Sequence, residues 1–232
     1  MLESTRQALT STRIILASGS PRRYKIIKKL GFDFEVIVSN YDENLDRSIY
    51  KNHGDYVQDL AKLKAHEVHK RIQNDPNLPS LIISADTLVT VGDTIYGKPK
   101  DESDAFRMLS HLANREHVVY TGVCLKTPKK EVNFHTSTKV KFGDLSEDQI
   151  KAYIKTGECL DKAGGYGAQG LGGCLIENIR GDFYTVMGMP IYFVTKHLNE
   201  IFGSNSRREF CYDSYTIFKF RLKYLLLINS LI

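Results

Sequence analysis

Asp86 follows an apolar run, Leu81-Ile82-Ile83-Ser84-Ala85, and Lys98 comes twelve residues later in a Gly97-Lys98-Pro99 turn. A carboxylate and an ammonium at the mouth of a buried strand are costly to place there without a chemical task. Two further loops of small residues carry charge. One is Ala17-Ser18-Gly19-Ser20-Pro21-Arg22-Arg23; the other runs from Asp161-Lys162 through Gly165-Tyr166-Gly167-Ala168-Gln169-Gly170 to Gly173. Together the three loops point to one site that handles phosphate.

Each of these residues also has a plainer reading. Ser18, Gly19 and Ser20 leave backbone N–H groups free ahead of Pro21, which suits the first turn of a helix. The loop therefore reads as an anion-binding helix start to which Arg22 and Arg23 add charge. It reads equally as a surface cap with two solvated arginines, and no Gly-Lys-Ser/Thr follows to make a Walker A loop. Lys64 falls on the apolar stripe of its helix, where a lysine either snorkels to solvent or meets an anion in a cleft. Asp86, with Thr87 beside it, stands where a general base can be held rigidly, or is a turn aspartate. Glu43, in Tyr41-Asp42-Glu43-Asn44, is alone a solvated loop acid. Paired with Asp86 it could hold a hard divalent cation. Lys162 and Gln169 face a ligand if the glycine segment is a mobile or closely approached loop. That segment matches G-x-G-x-x-G literally, but no apolar strand precedes it, so a nicotinamide site is rejected. The 7 histidines form no metal-like cluster and read as surface or structural residues.

The 232 residues can bury a real core, with 42% hydrophobic and 25% charged residues. A net charge of +5 does not by itself indicate nucleic acid, and none is expected as a partner. Cys124, Cys159, Cys174 and Cys211 are far apart and form no C-x-x-C pair, as in a reduced compartment without zinc. Residues 1–13 lack an apolar signal core and read as a short N-terminal extension, faintly like a transit peptide; a cytoplasmic protein is expected.

The elements that must position these loops are legible in outline. Ile14–Ala17 is a first buried strand, and a helix runs from Pro21 until Gly31 stops it. Phe32 to Val38 alternate as a strand with one apolar face, and Ser39–Asn52 is a loop. A helix over about Asp55–Ile72 puts Val57, Leu60, Ala61 and Val68 on one stripe. Leu81–Ala85 and Leu88–Val91 are strand-like, and Gly92-Asp93 turns the chain. Asp101 caps a helix carrying Ala105, Met108, Leu109 and Leu112. Strands follow at Val118–Lys126 and Val132–Phe142. Ser146 and Gln149 have capping-box spacing for a helix ending near Gly157. Cys174–Asn178, a Gly181-Asp182 turn and a last helix over Ile191–Phe202 complete the pattern. Interleaved helices and strands, some strands adjacent, give an α/β fold with a mixed sheet. The tail from 203 alternates Phe218, Phe220, Leu222 and Tyr224 with Lys219, Arg221 and Lys223, then reaches Leu225-Leu226-Leu227. It is too short and charged for a transmembrane helix and reads as an added strand or docked segment, with a membrane-surface or partner contact as the alternative.

In order and spacing, A-S-G-S-P-R-R, the D-E of the next loop, L-A-x-x-K-A, A-D-T, G-K-P and D-K-A-G-G-Y-G-x-Q-G-L-G-G resemble the Maf family of nucleoside triphosphate pyrophosphatases. The resemblance covers about Ile14–Phe202. It implies two lobes around a central cleft, as in the inosine triphosphate pyrophosphatase architecture, and a homodimer. It also implies cleavage of a nucleoside triphosphate to monophosphate and pyrophosphate. By that resemblance Asp86 activates water, and Glu43 and Asp86 hold Mg²⁺ or Mn²⁺. Ser18, Arg22, Arg23, Lys64, Lys98 and Lys162 surround the triphosphate. Arg22, Thr87 and Gln169 stand at the positions where subfamilies differ, and match the branch acting on dTTP, UTP and modified pyrimidine nucleotides. Thr87 and Gln169 can donate and accept hydrogen bonds to a uracil-like edge. A catalytically silent nucleotide-binding regulator, for instance of cell division, is the alternative; a pure binder has no need of the Asp86 base.

Overall fold

A computed structural model describes residues 3–43, 45–79 and 81–203. The tail pattern noted above falls outside them. Strands β1 (Ile14–Leu16), β2 (Glu35–Val36), β3 (Leu81–Val91), β4 (Thr94–Tyr96), β5 (Glu116–Lys126), β6 (Glu131–Phe142) and β7 (Ile176–Arg180) form one mixed sheet. Its order is β2-β1-β3-β5-β6-β7, with β4 also on β3. Only the β1 pairings, to β2 and to β3, are parallel. The helices are α1 (Glu3–Thr10), α2 (Pro21–Lys28), α3 (His53–Arg71), α4 (Glu102–Leu112), α5 (Glu147–Ile154), α6 (Phe183–Val186) and α7 (Ile191–Phe202).

Local chemistry accounts for most of the boundaries. Asp101 accepts from the Asp104 N–H to start α4, and Ser146 and Gln149 make a full capping box on α5. Asn52 caps α3 in the same way. Gly31, at φ 77°, turns the chain away after α2.

Two expectations need correction. Asp86 does not end a strand: β3 is continuous, and Asp86 and Thr87 pair with Gly122 and Thr121 in the middle of it. The expected strand over Phe32–Val38 shrinks to β2, because its partner β1 is only three residues long; Val36 and Val38 lie exposed at the sheet edge. Ahead of β1, α1 buries Leu9 in the main core, and Thr5 donates to Asn199 of α7.

Side chains alternate across a strand, so β3, β5 and β6 present two different faces. One face lies under α3. There Ser84 donates to the Ala61 carbonyl at 2.5 Å, and Ile82, Cys124, Ala61, Ala65 and Val68 form a small core. Asp86, Gly122 and His135 follow as one cross-strand row on that face.

The opposite face carries two larger cores in line. Ile83, Ala85, Val123, Ile26, Ile27 and Leu198 belong to the first; Val89, Val119, Val140, Phe142, Leu109 and Tyr153 belong to the second. Between them the same strands place a band of hydroxyls, Thr87, Thr121 and Thr136, in register. The long strands run unbroken through both cores, and this polar band is where one lobe gives way to the other.

Gly122 sets how closely α3 approaches. A Cβ there would stand 2.3 Å from the Val57 carbonyl oxygen and 2.5 Å from the Gln58 nitrogen, both backbone atoms. Gly122→Ala should therefore push α3 off the sheet and cost about 2 kcal/mol or more, the scale of overpacking. Denaturant unfolding checks this, and a midpoint equal to that of the parent would refute the packing constraint.

Candidate active site

The edge of β3 opposite β5 is shared. β1 pairs with residues 81–83 and β4 with 89–91, leaving 84–88 without a strand neighbour. Three loops meet this gap. The Ser18-Gly19-Ser20 turn follows β1, where a parallel strand runs into a helix and leaves backbone N–H groups for an anion. The Gly97-Lys98-Pro99 turn follows β4. The glycine segment docks on that turn, Gly164 N–H donating to the Gly97 carbonyl at 3.0 Å.

On the α3 side, Lys64 Nζ lies 2.5 Å from Asp86 Oδ1 and 2.6 Å from Glu43 Oε1. Lys64 and Asp86 each expose 14% of their side chains, whereas Glu43 exposes 56%. The lysine on the apolar stripe thus meets anions instead of snorkelling. Burial pushes the Asp86 carboxyl above its ordinary value, opposed by the charges of Lys64 and Arg23. A cavity of about 400 Å³ opens further along α3, lined by Tyr56, His53, Arg47 and Tyr120. Tyr56, on its wall, feels the charges of Asp86, Glu43 and Lys64.

The two arginines part company. Arg23 is turned inward and donates from Nε to the Gly188 carbonyl (2.8 Å) and from Nη1 to Ser18 Oγ (3.1 Å) and the Ala85 carbonyl (2.7 Å). Its Nη2 donates to Thr87 Oγ1 at 2.9 Å. Arg22 makes no hydrogen bond or ion pair with the described residues, although it is half-buried and faces Asp161, Tyr153, Tyr166 and Glu158 across the cleft. Burial lowers its pKa, yet a guanidinium stays charged. A half-buried cation with unspent donors is an anion site in waiting. Lys98, exposed on its turn, is likewise unpaired among the described residues. Lys162 is not: its Nζ donates to the Glu158 carbonyl at 2.6 Å and meets Asp161 at 2.5 Å.

The uracil-reading role expected of Thr87 meets a geometric obstacle. Thr87 faces away from Asp86, and its hydroxyl lies 3.0 Å from Thr121 Oγ1. Thr121 spends its single hydrogen on the Thr185 carbonyl, so Thr87 must be the donor between the two. No hydrogen remains on Thr87 for a ligand. Gln169 is exposed on the glycine segment, with its amide available.

The glycine segment is closely approached rather than slack. Glu158 accepts from the N–H of Leu171 (2.9 Å), the N–H of Gly172 (3.1 Å) and the Tyr153 hydroxyl (3.2 Å). A Cβ at Gly170 would stand 2.3 Å from Glu158 Oε2, and one at Gly172 2.6 Å from the Gly167 nitrogen. Nothing in the sequence marks Glu158 as this anchor, since Asp161 lies nearer the run of glycines and carries the same charge. His117, also unmarked, is buried and bonds Tyr166 through Nε2 at 2.8 Å.

The fold and this cleft define an α/β protein whose unpaired cations gather beside a largely covered carboxylate. The chain belongs to the Maf family: the family model described as Maf-like protein matches residues 13–201. It is 46% identical over 191 residues to the dTTP/UTP pyrophosphatase of Clostridium perfringens, covering 80% of this chain and 95% of that one. It is 44% identical over 199 residues to the dTTP/UTP pyrophosphatase of Aquifex aeolicus, covering 84% of this chain and 100% of the relative. A human protein named probable bifunctional dTTP/UTP pyrophosphatase/methyltransferase is 43% identical over 203 residues; these span 84% of this chain but 33% of the human one. Among solved structures, the Staphylococcus aureus Ham1 protein aligns over 57% of this chain and 72% of its own at 18% identity, with a TM-score of 0.39.

Removing the Glu158 anchor by Glu158→Ala should raise amide hydrogen exchange over 165–173 severalfold while leaving the strands protected, since three acceptor contacts are lost locally. Unchanged exchange there would refute the anchor. Burial also holds His117 down to about 4, below its ordinary 6.5. An unfolded chain takes up that proton where the folded one does not. Stability should therefore be full above about pH 6.5 and fall toward pH 4, by at most about 3 kcal/mol. Urea unfolding of His117→Phe should lack that part of the acid dependence.

Proposed function

We propose that this chain hydrolyses dTTP, UTP and related pyrimidine nucleoside triphosphates between the α and β phosphates, releasing monophosphate and pyrophosphate. The observation that carries the reading is a buried Asp86 gripped by Lys64, with Glu43 on the same ammonium and unpaired Arg22 and Lys98 around the gap. The relatives named dTTP/UTP pyrophosphatase support the substrate class.

In this reading Asp86 accepts a proton from a water that attacks the α phosphorus, and the bond to the oxygen bridging toward the β phosphorus breaks. Burial raises the basicity of the carboxylate toward a useful range, and Lys64 fixes its orientation. Arg22, Lys98 and the N–H groups of Ser18 and Gly19 bind the polyphosphate, with Lys162 at the cleft's other wall; the Ser20 N–H is held by Ser18 Oγ. Charge develops on the departing pyrophosphate, and fixed cations offset it without reorganising.

The residues fit a divalent cation. Glu43 and Asp86 already turn one oxygen each to a single positive charge, and both are hard oxygen donors. The described residues contain no group of three or more metal-ligating side chains, so Glu43 and Asp86 are the residues that would hold the ion together with substrate. Mg²⁺ or Mn²⁺ held there would neutralise phosphate charge and polarise the reacting centre. No helix among the described residues is long and apolar enough to cross a membrane. A cytoplasmic homodimer belongs to the same reading, and sedimentation of the purified chain tests the dimer.

A panel of canonical and modified nucleoside triphosphates, incubated with Mg²⁺, Mn²⁺ or EDTA and resolved by chromatography, tests the activity. Metal-dependent UMP or dTMP plus pyrophosphate is expected. Asp86→Asn should keep nucleotide binding and lose turnover by about 10²–10⁴-fold, the scale of general-base removal. Parental turnover in that variant would remove Asp86 from the mechanism. Binding without turnover of any nucleotide by the parent would point to a silent regulator instead.

A further inference from the structure

We propose that Arg23 is a positioning residue and not a phosphate ligand, and that a chain running through the Thr87 and Thr121 hydroxyls to the carbonyl of Thr185, whose own N–H and hydroxyl are held by Asp182, fixes it so that Arg22 alone faces the polyanion. This rests on the reading of the cleft as a polyphosphate site.

The geometry begins at the unpaired stretch of the β3 edge. A strand there would donate to the Ala85 carbonyl, as the Ala17 N–H does to the Ile83 carbonyl two residues earlier. Arg23 supplies that donor instead. Four of its five N–H hydrogens go to acceptors inside the protein. Turning the guanidinium toward a phosphate would leave the Ala85 and Gly188 carbonyls and two hydroxyls short of a donor, at the cost of unpaired buried polar groups. Gly188 makes room for it. At φ +89°, a Cβ on Gly188 would stand 2.9 Å from Thr87 Oγ1 and 3.4 Å from Arg23 Nε.

The hydrogen-bond directions are forced. Thr185 spends its hydrogen on Asp182 Oδ2 at 2.8 Å, so Thr136, also 2.8 Å away, donates to Thr185 Oγ1. Thr121 donates to the Thr185 carbonyl, and Thr87 donates to Thr121. Thr87 Oγ1 is thereby left to accept from Arg23 Nη2. Asp182 closes the chain by accepting the N–H groups of Tyr184 and Thr185 at the start of α6. Each hydroxyl has one orientation, because reversing Thr121 or Thr185 would leave its oxygen facing the Thr185 carbonyl or the Asp182 carboxylate with no hydrogen between them.

The consequence reaches the site by two routes. Arg23 fixes the rotation of α2, and Arg22, one residue earlier and about 100° around the helix, is thereby aimed across the cleft. Thr87 fixes the stretch of β3 that carries Asp86 on its other face. The chain thus sets the attacking group and the phosphate-binding group against one another without touching substrate. Thr87 would influence nucleotide choice through this placement and not through contact with a base.

Two measurements test the proposal. First, inorganic pyrophosphate with Mg²⁺ is titrated into the parent protein while arginine Nε–H resonances are followed by NMR, assigned with Arg22→Lys and Arg23→Lys. The Arg22 resonance should move, and the Arg23 resonance should stay in place and exchange slowly with solvent. Movement of Arg23, or of neither resonance, would overturn the proposal. This arm holds even if the parent hydrolyses no nucleotide, an outcome that would defeat the functional reading by itself.

Second, Thr121→Val should raise the KM for UTP about tenfold, whereas Thr121→Ser, which keeps the hydroxyl, should restore the parental value. In an Arg22→Ala background Thr121→Val should add less than twofold. An equal effect with and without Arg22, or no rescue by serine, would reduce Thr121 to a packing residue and overturn the positioning role. If Thr121→Val does not fold, the titration and the serine variant still decide the matter.

Discussion

The structure depends on an interruption in a sheet. β3 is long enough to run through two apolar cores, but its free edge is covered by β1 at one end and β4 at the other. Backbone groups exposed between them need partners, since an unpaired buried carbonyl costs as much as a lost hydrogen bond. Filling that gap with a side chain in place of a strand is what creates the cleft. The arginine that fills it demands a glycine at 188, a hydroxyl at 87 and a further run of hydroxyls behind that. The polar band between the lobes and the mouth of the site are therefore one feature seen from two sides.

Charge is distributed in a way that separates holding from binding. Lys64 and Lys162 are each satisfied by a carboxylate, and Arg23 by carbonyls and hydroxyls. Arg22 and Lys98 have no such partner among the described residues. A cleft in which every cation was internally neutralised would gain little from an incoming polyanion. One in which all were free would repel itself when empty. The mixture gives rigid walls and a few unspent donors, the arrangement preorganised electrostatics requires.

The order of elements was legible in the sequence because it rests on local chemistry. Pro21, the Asp101 cap, the Ser146/Gln149 box and the apolar stripes of α3 and α4 depend on neighbours within a turn or two. The last helix fell over Ile191–Phe202 as periodicity indicated. β2 is shorter than its sequence suggests because alternation of Phe34, Val36 and Val38 describes a strand without saying how much partner it will find. The break expected at Asp86-Thr87 was likewise a misreading. A polar pair in an apolar strand suggests an end, and only the opposing Gly122 and Thr121 show how it is accommodated mid-strand. α1 carries no such local mark, since its anchors on α7 lie almost the whole chain away.

The sequence by itself determined the inventory: which loops carry charge, which residues could hold phosphate or metal, and the family those motifs mark. The tertiary structure decided the assignment of roles within that inventory. Adjacent arginines look alike in a sequence, yet α2 sends Arg23 into the β3 gap and leaves Arg22 facing the cleft. Adjacent Asp86 and Thr87 look like one motif, yet the pleat puts them on opposite faces. Glu158 and Gly188 look unremarked, yet each fixes a wall of the site. The physical reason is common to all of these. Residue type sets what a group can donate or accept, but its partner is chosen by strand register and helix rotation, which bring together residues far apart in the chain.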